Sequence, residues 1–205
     1  MSSNENNFFS FDDYLIDEKM SVLKFTNAYR VFNGKGEDIG AVQQEKISGG
    51  AKAARLLLGR QVKGLQAFKL DILDANGSVV AAISRGGAGG GLKGMRVITI
   101  YDGSGKQIGT LEFPGFSWTP KMEILDVNRN LIGRIAGDWR GWNFTITDTK
   151  DNVIGNVNKK WNGLMKEAFT SADKYRVSIS PHTTGTNRVA ILAAAITLDM
   201  VLHEN

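Results

Sequence analysis

The fourteen residues Val189–Leu202 read VAILAAAITLDMVL and are apolar on every face of a helix, broken only by Thr197 and Asp199. A helix that is apolar all round belongs inside a protein core or a membrane. At ~1.5 Å per residue the run measures ~21 Å, short of the ~30 Å hydrocarbon layer of a bilayer. Asp199 near its end adds to the cost of spanning. The run is therefore expected at the centre of a protein core, with Val189, Ile191, Leu192, Ile196, Leu198, Val201 and Leu202 as its buried side chains. Something must surround it.

The preceding chain supplies the surround, because it repeats one pattern five times. An alternating apolar run leads to an Asp or Asn, a polar turn follows, and six positions after the anchor comes a β-branched residue with Gly or Ala behind it. The anchors are Asn33 (Ile39-Gly40), Asp74 (Val80-Ala81), Asp102 (Ile108-Gly109), Asp126 (Ile132-Gly133) and Asp148 (Ile154-Gly155). Incoming runs such as Phe68, Leu70, Ile72 and Trp142, Phe144, Ile146 alternate at period two, the mark of a half-buried strand. Asn76-Gly77, Asp102-Gly103 and Gly105 carry turn chemistry. Each unit reads as a β-hairpin, and the Asp/Asn anchors read as turn residues rather than a catalytic or metal-binding carboxylate cluster. Anchor spacings of 41, 28, 24 and 22 residues exclude a strict solenoid or propeller.

Five hairpins give ten strands, and Tyr14–Lys24 and Tyr175–Ser180 supply two more. An open sheet of that size leaves two exposed edges, so it is expected to curl and close. The fold class predicted is all-β with one buried helix: an antiparallel barrel of about twelve strands around a central helix near Asn187–His203. A shorter helix is predicted over Gly163–Thr170. Residues 1–10 are polar and Asn/Ser-rich and read as a disordered N-terminus, leaving 11–205 as a single domain.

Composition narrows the chemistry. Among 205 residues there is no cysteine, which removes disulfides, thiolate metal sites and thiol nucleophiles. The two histidines, His182 and His203, have no Ser or Asp at a spacing that indicates a triad. No catalytic constellation is found. Ser84–Gly94, SRGGAGGGLKG, has the composition of a phosphate loop without its spacing, and reads as a hairpin connection. The start MSSNENNFF lacks a signal peptide's basic and apolar regions, so a cytoplasmic protein is expected. The net charge of +4 is a mild excess, compatible with an acidic membrane surface; on this charge alone nucleic acid is not the expected partner.

Lys159–Tyr175, KKWNGLMKEAFTSADKY, resembles the signature of the phospholipid scramblase family. FTITDTKDNVIG and ILAAAITLDMVLHE resemble that family's closing hairpin and C-terminal helix, and YLIDEKMSVL through YRVFNGKGEDIG is similar to LURP-one-related proteins. Both groups belong with the tubby C-terminal domain, and the resemblance implies a twelve-stranded barrel around a C-terminal helix. It departs from animal scramblases in lacking their cysteine cluster and proline-rich N-terminus. The family's proposed calcium segment begins at the position of Asp173, a weak remnant here, since DKYRVSISPHTT offers that carboxylate alone. Ca²⁺ takes six to eight oxygens, so neither calcium nor another cofactor is expected.

The densest basic-aromatic cluster is Lys159, Lys160, Trp161 and Lys166. A Trp flanked by lysines suits the headgroup layer of anionic phospholipid. The plainer reading packs Trp161 beneath the short helix with the lysines solvated. Phe113–Trp118, FPGFSW, fits a membrane-inserting loop and a barrel plug equally, while Trp139 and Trp142 flank a Gly-containing turn and read as core or rim packing. Glu167 and Asp173 read as structural groups at the ends of the short helix. The expected function is non-enzymatic, acting at or near membrane phospholipid by peripheral binding to anionic lipid, with scrambling as its extension. The alternative is a LURP-one-related scaffold for protein partners. A barrel filled by its own helix leaves little room for a small ligand.

Overall fold

Alternating apolar strands cannot bury their inner faces alone, and here twelve of them do so on one helix. The computed structural model describes residues 7–19, 28–44, 68–86, 97–113, 121–138, 140–159 and 174–203. The strands are β1 (Asp13–Lys19), β2 (Ala28–Asn33), β3 (Asp38–Gln44), β4 (Phe68–Asp74), β5 (Val79–Arg85) and β6 (Val97–Asp102). They continue with β7 (Gln107–Glu112), β8 (Met122–Asp126), β9 (Leu131–Asp138), β10 (Asn143–Thr147), β11 (Val153–Asn158) and β12 (Lys174–Ile179), followed by α1 (Gly185–His203). Each strand pairs antiparallel with its neighbours in the chain, and β12 returns to β1 through pairs such as Asp13↔Ser178 and Asp17↔Lys174. The sheet is a closed twelve-stranded barrel.

The helix runs through it. Every residue from Val189 to Ile196 is fully buried, and Leu198 is 1% exposed. Inward side chains such as Ile16, Leu70, Ile100, Ile124, Phe144 and Val177 form one core with them. Val201 is partly buried against the same core, and Leu202 lies in the last turn of the helix. α1 begins four residues before the apolar run, at Gly185, because Arg188 adds a polar first turn with its own partners.

The five repeats share one hydrogen-bond pattern. At each anchor the backbone N–H donates to the carbonyl four residues on, as from Asn33 to Glu37 at 3.0 Å and from Asp126 to Asn130 at 2.9 Å. The third residue of each turn is left-handed: Gly36, Gly77, Gly105, Arg129 and Asp151 have φ between 62° and 82°. A register shift then follows in every hairpin, for example between Ile124 and Leu125 opposite Gly133 and Leu131. The β-branched residue six positions after the anchor is thus the extra residue of a β-bulge, which bends and twists its strand. Val80 and Ile108 join the core by this device, and Ile39, Ile132 and Ile154 pack against it. The small residue behind it faces the next hairpin. A Cβ on Gly109 would lie 2.5 Å from the Leu125 carbonyl oxygen, and one on Gly40 would lie 1.9 Å from that of Leu73.

All five tight turns lie at one end of the barrel, together with the start of β1 and the start of α1. This is the turn end. Phe8 and Phe9, which the sequence placed in a disordered N-terminus, are instead 4% and 5% exposed and cover that end. The apolar pair inside a polar stretch is what docks it. Strand Tyr14–Lys24 is realised as β1, which ends at Lys19, and Tyr175–Ser180 as β12. The short helix over 163–170 lies outside the described residues.

Replacing Leu198 with Asp is expected to abolish the cooperative unfolding transition, since it puts an unpaired carboxylate inside the barrel. Leu198→Ala should keep the transition and lower stability by about 2–5 kcal/mol in chemical denaturation. A native-like melting temperature for Leu198→Asp would place the helix outside the barrel.

Candidate functional sites at the two barrel ends

Loop residues held on a rigid scaffold carry most binding functions, so the ends of this barrel are where a site is sought. The turn end is built for rigidity. In each hairpin the anchor Oδ1 accepts two backbone N–H groups, from Asn128 and Asn130 at 2.8 Å each for Asp126, and from Lys150 and Asn152 at 2.8 and 2.9 Å for Asp148. Side-chain hydrogen bonds from Asn130 and Asn152 hold the Asp126 and Asp148 carboxyls below the usual carboxylate range. Slight burial pushes Asp102 the other way, yet hydrogen bonds from the Ser104 hydroxyl and the Lys106 and Ser104 amides prevail and lower it. Asn33 makes the same two backbone contacts, at 2.9 and 3.1 Å, without a charge.

The start of α1 is latched to the start of β1. Arg188, 6% exposed, donates through Nη1 to the carbonyl of Thr183 at 3.0 Å and that of Ser180 at 3.3 Å. Its Nη2 donates to the Asp12 carboxylate at 2.6 Å and to the Phe11 carbonyl. The Tyr14 hydroxyl donates to the Phe8 carbonyl at 3.2 Å, and burial pushes that phenol up to about 12 against the pull of Arg188. These groups tie helix, first strand and N-terminal segment into one cap.

The opposite end receives every other connection. There Asp138 Oδ1 accepts the Arg140 amide at 3.0 Å, and its side chain lies close over Gly141, where a Cβ would come within 2.7 Å of Asp138 Oδ2. Trp142 has a φ of 48°, a left-handed conformation rare for a bulky side chain. Its ring stands edge-on to Phe144 at 6.1 Å and beside Tyr175 at 5.7 Å. Lys159 donates its backbone N–H to the Trp142 carbonyl at 3.1 Å and sets its ammonium 4.2 Å from the centroid of the indole. Of the predicted lipid residues, Lys159 is therefore paired with Trp142, which packs against the core as its expected core or rim role requires. Lys160, Trp161 and Lys166 lie outside the described residues, as do Asp173 and 114–118 of FPGFSW.

Comparison with known proteins meets this architecture directly. The Scramblase family profile matches residues 18–205. The chain belongs to the Scramblase family. It is 25% identical over 166 residues to a Schizosaccharomyces pombe phospholipid scramblase family protein, C343.06c, covering 73% of this chain and 39% of that protein. The match thus spans well under half the length of that relative. An Arabidopsis thaliana protein, AT5G01750, known from an X-ray structure, superposes with a TM-score of 0.55 at 11% identity, covering 93% of this chain and 94% of its own. That likeness concerns the fold. In this Scramblase-family chain no helix among the described residues is long and apolar enough to cross a membrane.

The lowered carboxyl groups make a pH prediction for the turn end. A carboxylate whose pKa is depressed on folding adds stability above its unfolded value, ordinarily about 3.9, and loses it as pH falls through the folded value. Stability should therefore drop in acid below about pH 4. Replacing Asp102, Asp126 and Asp148 together with Asn should keep the fold, as Asn33 already does, and flatten that acid limb in urea midpoints measured against pH.

Proposed function

We propose that this chain is a non-enzymatic, peripheral phospholipid-binding protein that acts on membranes from their surface. Membership of the Scramblase family supports phospholipid as the ligand class. The observation that carries the reading is the Lys159–Trp142 pair at the connection end, a cation seated on an indole that itself packs against Phe144 and Tyr175. Such a group suits the headgroup layer, where indoles collect and basic side chains meet anionic lipid. Lys160, Trp161 and Lys166 follow directly in the sequence and extend the same chemistry. Binding holds the protein in place, and any movement of lipid between leaflets follows from disturbing headgroup packing rather than from bond chemistry.

Co-sedimentation of the purified chain with phosphatidylcholine vesicles, with and without phosphatidylserine, tests this. Binding is expected only with the anionic lipid and should fade as salt rises, because surface charge pairs are screened within about 8 Å at physiological ionic strength. Replacing Lys159, Lys160 and Lys166 with Ala should weaken it by more than tenfold. Absence of binding at low salt would remove the lipid reading and leave the scaffold role with protein partners.

A further inference from the structure

Asp74 differs from the other four turn anchors in leaving a buried carboxylate oxygen without a partner. Asp126 and Asp148 each accept a side-chain bond on Oδ2, from Asn130 at 2.8 Å and Asn152 at 2.9 Å, and Asn33 gives one from Nδ2 to Glu37 at 2.6 Å. The partner stands four residues after the anchor each time. Asp102 is the less buried of the two remaining anchors. Asp74 is only 8% exposed, and its Oδ1 accepts the Asn76 and Ser78 amides at 2.9 Å each. The residue four positions on is Ser78, and among the described residues Oδ2 has no hydrogen-bond or ion-pair partner.

This carboxylate lines a cavity of 130 Å³ between the N-terminal cap and the β4–β5 turn, together with Asn7, Phe8, Phe11, Asp38 and Asn76. The charge of Asp38 is already compensated, because Arg30 donates Nε at 2.9 Å and Nη2 to its Oδ2, and Gly40 donates its amide to Oδ1 at 3.2 Å. The side chains of Asn7 and Asn76 have no partner among the described residues. One uncompensated carboxylate, two uncommitted amide side chains and two phenylalanines therefore border the same space.

We infer that this cavity binds a primary ammonium group, held by Asp74 Oδ2 and by the side-chain carbonyls of Asn7 and Asn76. An ammonium has three donors, which matches three acceptors. A buried carboxylate is ordinarily paired, and an organic cation gains further from aromatic neighbours. Hard metal ions want a shell of oxygens that a cavity walled by Phe8 and Phe11 does not offer. The inference does not depend on the lipid-binding reading, since free ethanolamine and the headgroup of phosphatidylethanolamine carry the same group.

NMR titration of the isotope-labelled chain with ethanolamine tests the site. The Asn76 and Ser78 amide resonances are expected to shift, and those of Ser104 and Lys106, which occupy the same places at the Asp102 turn, to stay. Asp74→Asn keeps the anchor oxygen, as Asn33 does, so it should retain its thermal transition and weaken ethanolamine binding about tenfold or more. Asp102→Asn should leave binding within about twofold, and choline, which has no N–H donor, should bind about tenfold more weakly than ethanolamine. Short-chain soluble phosphatidylethanolamine separates the two sources: tighter binding than ethanolamine assigns the site to the lipid headgroup, and equal or weaker binding assigns it to the free amine. Equal shifts at both turns, choline binding as tight as that of ethanolamine, or unchanged binding by Asp74→Asn would overturn the site, as would a wild type that responds to neither amine.

Discussion

The structure depends on filling the lumen of a twelve-stranded barrel. A ring of that size encloses more space than the side chains of its own strands occupy, and α1 occupies the remainder with Val189, Ile191, Leu192, Ile196 and Leu198. Each fully buried residue of this kind contributes about 1.5–3 kcal/mol. Five of them are on the order of the whole net stability of a domain. The alanines at 190 and 193–195 matter for a different reason: they keep the helix slim enough for inward residues such as Tyr14, Phe144 and Tyr175 to close around it. Sheet and helix are thus each other's core, and neither is complete alone.

Closure also needs the strands to bend, and the repeated bulge supplies that bend at one end. The same turn serves three ends at once. Its anchor side chain satisfies two backbone donors, its bulged Ile or Val turns into the barrel mouth, and its small residue lets the next hairpin approach. Arg188 completes the cap by joining the helix to Asp12 and Phe11, which fixes the depth at which α1 sits. A buried arginine needs such a set of acceptors, because an unpaired charge in that position would cost several kcal/mol.

The periodic parts of this fold were legible because their signals are local. Alternation, an Asx anchor and a β-branched residue followed by Gly or Ala all fall within fourteen residues, as in Phe68–Ala81 and Trp142–Gly155, and the helix announces itself by hydropathy alone. Phe8 and Phe9 were not legible, since two apolar residues in a polar stretch carry no period and gain meaning only from the open barrel mouth they cover. Arg188 lies in the polar lead of the helix, and two of its four acceptors, Asp12 and Phe11, are 176 and 177 residues away in the chain. The Lys159–Trp142 pair is likewise a contact between neighbouring strand ends, invisible to spacing.

A helix that fills its own barrel limits how such a chain can act on lipid. Were α1 to leave for the bilayer, the inner face of twelve strands would lose its partner, and Asp199, now 1% exposed, would have to enter hydrocarbon. That cost falls on the entire fold and not on one loop. The surface binding proposed above avoids it, because it leaves α1 inside the barrel. An up-and-down barrel assigns its connections alternately to its two ends, so one end can be conserved in geometry for closure while the other varies in length and charge. Here the hairpin turns use their anchor side chains to satisfy backbone donors, while the connections between hairpins range from 4 to 23 residues.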